Sequence, residues 1–197
     1  FRDEIVAVDI TGSKEAKRID TDEEPFRAKL EKFGELKPAF KKDGAVTAGN
    51  ASSLSDGASA LVLASSEWAS QQGIKPMARV IAEASHAQEP EWFTTAPVGA
   101  IERLLKKSRV SKDQVDLYEI NEAFAVVALA CIRDLGLNRD KVNCRGGAIA
   151  LGHPIGASGA RILTTLIYAL RSENKRQGIA SLCIGGGEAS ALLVETL

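Results

Sequence analysis

Histidine and cysteine are scarce in this 197-residue chain, with two of the first and three of the second. His86 and His153 stand far apart with no paired cysteines or HxxxH spacing beside them, which excludes an ordinary zinc site. Cys131, Cys144 and Cys183 are odd in number and widely spaced, so no disulfide framework is expected and a reducing compartment suits the chain. An excess of either charge is also missing. The 25 basic and 26 acidic side chains leave a net charge of −1, which gives neither nucleic acid nor an anionic membrane surface a reason to bind. No apolar run approaches the ~20 residues needed to cross a bilayer. No stretch joins a basic start to an apolar middle in the manner of a signal peptide, and no internal repeat is visible. The chain opens on FRDEIVAVDI without an initiator methionine, and we expect it to be part of a longer protein. What is present is ordinary: 45% hydrophobic and 26% charged residues, enough for a packed core.

Along the chain, residues 1–10 alternate apolar and polar and predict a strand. Residues 11–45 are charged and broken by glycine and proline, with a short helix expected around Phe26–Phe33. VTAGNASSLSDG (46–57) packs small and turn-forming residues into a loop rich in free N–H groups and hydroxyls. ASALVLA (58–64) reads as a buried strand, and Ser65 or Ser66 can cap the helix EWASQQ, which Gly73 ends. From Pro76 onward strands and helices alternate. ARVIAEASHA is a strand, PEWFTTAP a loop, VGAIERLLKKS an amphipathic helix and QVDLYEI a strand. NEAFAVVALACIRDLG is a helix, VNC a short strand and SGARILTTLIYALRSEN a long helix. GIASLCI is a strand, GGG a turn and ASALLVETL a final strand. The order βαβαβαββ predicts an α/β fold, a mixed, mostly parallel sheet covered by helices with an antiparallel last pair.

The densest stretch is GGAIALGHPIGASGAR (146–161), with five glycines and His153. Pro154 pushes the histidine backbone towards an extended conformation, outside any helix. In open α/β sheets ligands gather beyond the carboxyl ends of strands, and three polar sites fall there. Asn121 follows LYEI, His153 follows VNC by one loop, and Cys183 closes ASLCI just before Gly185–Gly187. A thiol needs a positive or hydrogen-bonding neighbour to act as nucleophile or base, and an imidazole can supply it. A carboxamide can orient a water or stabilise developing negative charge. Such a Cys/His/Asn set suggests acyl transfer. Each residue also has a bland reading: a structural histidine in a glycine turn, or an inert core cysteine. That second reading is assigned to Cys131 on its apolar helix, and ordinary packing or surface to His86. GGGEA lacks the GxGxxG spacing of a dinucleotide turn and leads into a strand.

NEAFA (Asn121–Ala125), GGAIALGHPIGASGAR and CIGGG (Cys183–Gly187) resemble the three C-terminal signatures of the thiolases, acetyl-CoA C-acetyl/acyltransferases. VTAGNASSLSDGASA (46–60) is similar to their loop before the last strand of the N-terminal half. The resemblance implies the thiolase fold, with 1–75 as the tail of the N-terminal half and 76–197 as the C-terminal domain. It implies that His153 deprotonates the acyl-accepting cysteine, and that Cys183 takes and returns the methyl proton of acetyl-CoA. Asn121 would hold a water that forms one oxyanion hole with His153, and the Gly185 N–H would serve a second. Ser52, Ala48 and Phe124 match positions lining the pantetheine of coenzyme A, with Phe93 in the same neighbourhood. Substrates would be acyl-CoA thioesters such as acetoacetyl-CoA, made or cleaved by Claisen chemistry, with no permanently bound cofactor and no metal.

Two features depart from the family pattern. Glu188, Ala189 and Ser190 follow CIGGG where a further glycine is usual, and Cys144 and Arg145 follow Asn143, Cys144 being read as a packed small residue. Neither Cys131 nor Cys144 lies in a motif matching the family's nucleophile. The resemblance therefore implies a partner segment, the N-terminal half that carries this cysteine, and by analogy a homodimer or homotetramer. The cytoplasm is the expected location, with mitochondrion and peroxisome left open. The alternative is a non-catalytic module that binds CoA or docks onto a partner. A decarboxylating relative would carry a second histidine where Cys183 stands.

Overall fold

The computed structural model describes residues 1–12 and 17–197. Its first third has little regular structure. Strands β1 (Val8–Ile10) and β2 (Lys17–Ile19) pair antiparallel as an exposed ribbon, so the strand expected over residues 1–10 is confined to its last three. A single helical turn, α1 (Glu24–Arg27), and a 3₁₀ turn (Leu30–Glu35) stand where one short helix was expected. Helix α2 (Ser66–Gln71) begins as its sequence predicts: the Ser65 hydroxyl accepts from the Trp68 N–H at 3.1 Å.

Residues 78–196 form the layered unit. Its elements are β3 (Ala78–Ala87), α3 (Ala96–Ser108), β4 (Leu117–Ile120), α4 (Ala125–Leu135), α5 (Ala148–Leu151), α6 (Ser158–Ser172), β5 (Gln177–Cys183) and β6 (Glu188–Thr196). The sheet runs β3-β6-β5-β4, with β4 and β5 parallel and the other two pairings antiparallel. Alternation along the strands sends side chains to two cores. On one face Tyr118, Ile120, Ile179, Cys183 and Leu193 pack with Ile101 and Leu104 of α3 and Val127 and Cys131 of α4. On the other, Leu117, Ala180 and Val194 meet α6. Helix α6 buries Ile162, Thr165, Leu166, Ala169 and Leu170, the i, i+3, i+4, i+7, i+8 stripe of an amphipathic helix. Each large aliphatic side chain so enclosed contributes ~1.5–3 kcal/mol.

The α/β class and the mixed, helix-covered sheet match expectation, but parallel pairing is less prevalent than the sequence suggests. VNC contributes only a one-residue parallel bridge, Val142 to Tyr118, because Asn143 turns left-handed (φ 49°) and ends the extension. ASALVLA is neither a strand nor buried. Val62 is 96% exposed, since no sheet edge or helix layer among the described residues lies against it. His86 lies within β3, its Nε2 3.1 Å from Gln88 Oε1. Cys144 is exposed, its thiol 3.7 Å from Glu173 Oε1, and not packed. Among the described residues no helix is long and apolar enough to cross a membrane.

Candidate active site

Helix α5 is one turn long and ends at Gly152, whose φ of 91° swings the chain out before His153 and Pro154. The His153 backbone is tied to the 46–57 loop: its N–H donates to Ser53 O at 3.2 Å, and a bridge pairs it with Leu54. Its ring is held on both nitrogens. Nδ1 lies 2.5 Å from Ser158 Oγ, and Nε2 lies 3.2 Å from Asn121 Nδ2. The Ser158 hydroxyl donates to Pro154 O at 3.1 Å, so it accepts from Nδ1–H. The Asn121 amide then donates to Nε2. This donor chain selects the neutral tautomer with its lone pair on Nε2. Burial, reinforced by the nearby Arg161 cation, lowers the His153 pKa and favours that neutral form.

Asn121 is almost fully buried and sits beside β5, its N–H donating to Ser181 O at 2.9 Å. Cys183 is two residues further along the same strand end. Among the described residues no hydrogen bond joins its thiol to His153 or Asn121. The three residues therefore share one end of the sheet, and two of them touch. Burial pushes the Cys183 thiol above its ordinary pKa, and pushes Cys131, deeper in the same core, to about 12. An activated, low-pKa Cys183 is not what this enclosure produces. The turn after it is tight. Gly187 has φ 102°, and a Cβ there would overlap Gln88 O, so only glycine fits. Gly185 is exposed at the tip, and its N–H meets no main-chain acceptor among the described residues.

The 46–57 loop is sewn to NEAFA. Ala51 bridges Phe124, and both the N–H and the hydroxyl of Ser52 donate to Ala123 O, at 3.1 and 3.0 Å. Ala48 is exposed in the turn that Asn50 closes through its side chain. Phe93 and Phe124 meet edge to face with centroids 6.3 Å apart, and Phe40 also meets Phe124 edge to face, at 6.0 Å. An open cavity of about 420 Å³ is lined by Ser55–Ser59 and by Pro154–Ala157, the residues that follow His153 in the chain.

Five further residues support the site, and the sequence assigned a role to none of them. Ser158 fixes the His153 ring, and a serine one turn after a His-Pro pair was the available signal. Glu119 and Arg161 form a buried pair at 3.8 Å behind the Asn121 and His153 loops. Burial outweighs their attraction: it raises the Glu119 pKa to about 8 and lowers that of Arg161. Asn143 and Glu122 link the two loops directly, and nothing in the spacing of VNC and NEAF reveals that link.

Comparison with known proteins gives a consistent result. A family model described as "Thiolase, C-terminal domain" matches residues 74–196, and one described as "Thiolase, N-terminal domain" matches residues 1–67. An acetyl-CoA acetyltransferase of Syntrophomonas wolfei is 49% identical over 199 residues, covering 100% of this chain and 50% of that protein. A probable acetyl-CoA acetyltransferase of Dictyostelium discoideum is 48% identical over 198 residues, covering 100% of this chain and 48% of its own length. Among solved structures, the acetyl-CoA acetyltransferase of Bacillus anthracis superposes with a TM-score of 0.96 at 46% identity, over 99% of this chain and 50% of that one. The Acat5 thiolase of Ascaris suum in complex with coenzyme A gives a TM-score of 0.86 at 43% identity, over 96% of this chain and 49% of that one. The chain spans about half the length of the relatives it matches.

Proposed function

The chain belongs to the thiolase family, and from that premise we propose that it supplies the base and oxyanion-binding half of an acyl-CoA acyltransferase. The reaction is cleavage of a 3-ketoacyl-CoA such as acetoacetyl-CoA by coenzyme A, or its reverse, condensation of two acetyl-CoA. The observation that carries this reading is the His153 ring held in its Nδ1–H tautomer between Ser158 and Asn121. A neutral imidazole with its lone pair on Nε2 can take the proton of an acyl-accepting thiol. Neither Cys131, locked in the core, nor Cys144, out beside Glu173, is placed to be that thiol. The proposal assigns it to polypeptide outside these 197 residues.

Cys183 is the second base. In condensation its thiolate removes a methyl proton from acetyl-CoA. In cleavage its thiol returns a proton to the enolate carbon. A thiol whose pKa is raised by burial is a stronger base once ionised, and so is better matched to a weakly acidic thioester α-proton. The enolate oxygen is stabilised by a water held at Asn121, whose Oδ1 is buried with no partner among the described residues, and by His153 when its Nε2 carries a proton. The free Gly185 N–H serves the tetrahedral intermediate. Ser52, Ala48, Phe124 and Phe93 form the wall along which the pantetheine would run. No permanently bound cofactor is required, and assembly as a dimer or tetramer is part of the proposal.

The test is thiolysis of acetoacetyl-CoA by the full-length protein carrying this chain, followed by loss of its enolate absorbance. Wild type cleaves it, and His153→Ala lowers kcat by ~10²–10⁴-fold, the usual contribution of a general base. A wild-type protein that binds coenzyme A and leaves acetoacetyl-CoA intact would be a CoA-binding module instead.

A further inference from the structure

We propose that Asn143 and Glu122 are positioning residues that together fix the spacing between Asn121 and His153. The direct link between those two side chains is a single 3.2 Å contact, made by groups on separate loops. Asn143 takes over where the sheet stops. Beyond the one-residue bridge of Val142 to Tyr118, its own N–H donates to Tyr118 O at 2.9 Å. Its side chain then accepts from Ile120 N and donates to Ile120 O, both at 2.8 Å. A side-chain amide thus completes the edge of β4 as another strand's backbone would. The left-handed backbone of Asn143, a conformation asparagine tolerates better than most residues, aims the amide there.

The second hydrogen on Asn143 Nδ2 goes to Glu122 Oε1 at 3.0 Å, and Glu122 Oε2 accepts from Ile149 N at 3.3 Å. The carboxylate lies where a Cβ at Gly147 would fall, which explains why glycine precedes α5. Asn121 is therefore flanked by two residues, Ile120 and Glu122, that are both clamped to Asn143. The same clamp continues through Ile149 into the short helix that delivers His153. Only a carboxylate suits the middle of this path, because both of its partners are donors. Glutamine offers one oxygen where two are needed, and turns an N–H₂ group against a donor.

The kinetic arm of the test rests on the acyl-transfer reading above; the spectroscopic arm does not. In the full-length protein, Glu122→Gln and Asn143→Ala are expected to lower kcat for thiolysis ~10²-fold with KM within about threefold. That is the scale of loss from a misplacement near 1 Å, and neither residue is among those assigned above to substrate. The double variant should lose no more than Asn143→Ala alone, since the two act on one path. With ¹⁵N-histidine labelling, the His153 resonances (assigned by their loss in His153→Asn) should move away from the pure Nδ1–H tautomer in both single variants, and Glu122→Asp should restore them in part. Unchanged His153 resonances in variants that fold would overturn the proposal, and so would kcat losses explained wholly by a smaller folded fraction. A wild-type protein without thiolysis activity would remove the function proposed above, and the resonances would still decide the clamp.

Discussion

The two ends of this chain use similar apolar residues in opposite ways. Between Ala78 and Thr196 the large aliphatic side chains find a sheet on one side and a helix on the other, and Ile101, Leu104, Leu166, Leu170, Ile179 and Leu193 are fully enclosed. Before Ala69 no described residue is buried, and Phe26, Phe40, Leu54, Val62 and Leu63 are largely exposed. Yet the exposed region is not detached from the chemistry: residues 50–55 bond to both loops that carry the candidate catalytic groups. Hydrophobic patterning says which residues favour burial, and the surface that buries them must come from elsewhere in the fold.

Truncating side chains in the two regions is the sharpest way to break that comparison. In the 197-residue chain, Leu166→Ala should cost ~2–5 kcal/mol in urea unfolding, as lost transfer energy and a residual cavity predict. Val62→Ala should stay within ~0.5 kcal/mol. Repeating the pair in the full-length protein sharpens the comparison: a Val62→Ala cost that rises towards the core value would show that further polypeptide covers residues 58–64.

A further effect should come from pH, centred on Glu119 of the packed region. Burial raises the Glu119 pKa to about 8; Arg161 opposes the shift, Glu122 and Glu4 add to it, and Arg145 opposes it weakly. The folded chain therefore keeps a proton that the unfolded chain releases near the ordinary carboxyl value, roughly pH 4.3. Stability from this group is full below that value and falls as pH rises through about 8. Glu119→Gln should flatten this fall in urea midpoints taken between pH 5 and 9, and an unchanged slope would contradict it.

The sequence makes the packed region legible because its elements are long and periodic. Strand β3 and the span of α6 follow from alternation and from the 3.6-residue stripe, and Gly136, at φ 60°, ends α4 where its position predicts. Short apolar runs are harder. VNC and ASALVLA have strand-like composition, but Asn143 turns away, and residues 58–64 pair with no strand among the described residues. For the site, each strand-end residue can be located by its motif, and the contact between Asn121 and His153 then emerges from the fold. Ser158, Asn143, Glu122 and the Glu119–Arg161 pair act through geometry across loops, which no local spacing encodes. The environment of Cys183 is also a tertiary property, which is why burial reverses the low pKa that a catalytic thiol would suggest.

The most direct test of the account follows exchange of the methyl protons of acetyl-CoA in D₂O by NMR, using the full-length protein. The account predicts enzyme-dependent exchange that is retained in Cys131→Ala and abolished in Cys183→Ala. Exchange at the wild-type rate in Cys183→Ala would contradict it.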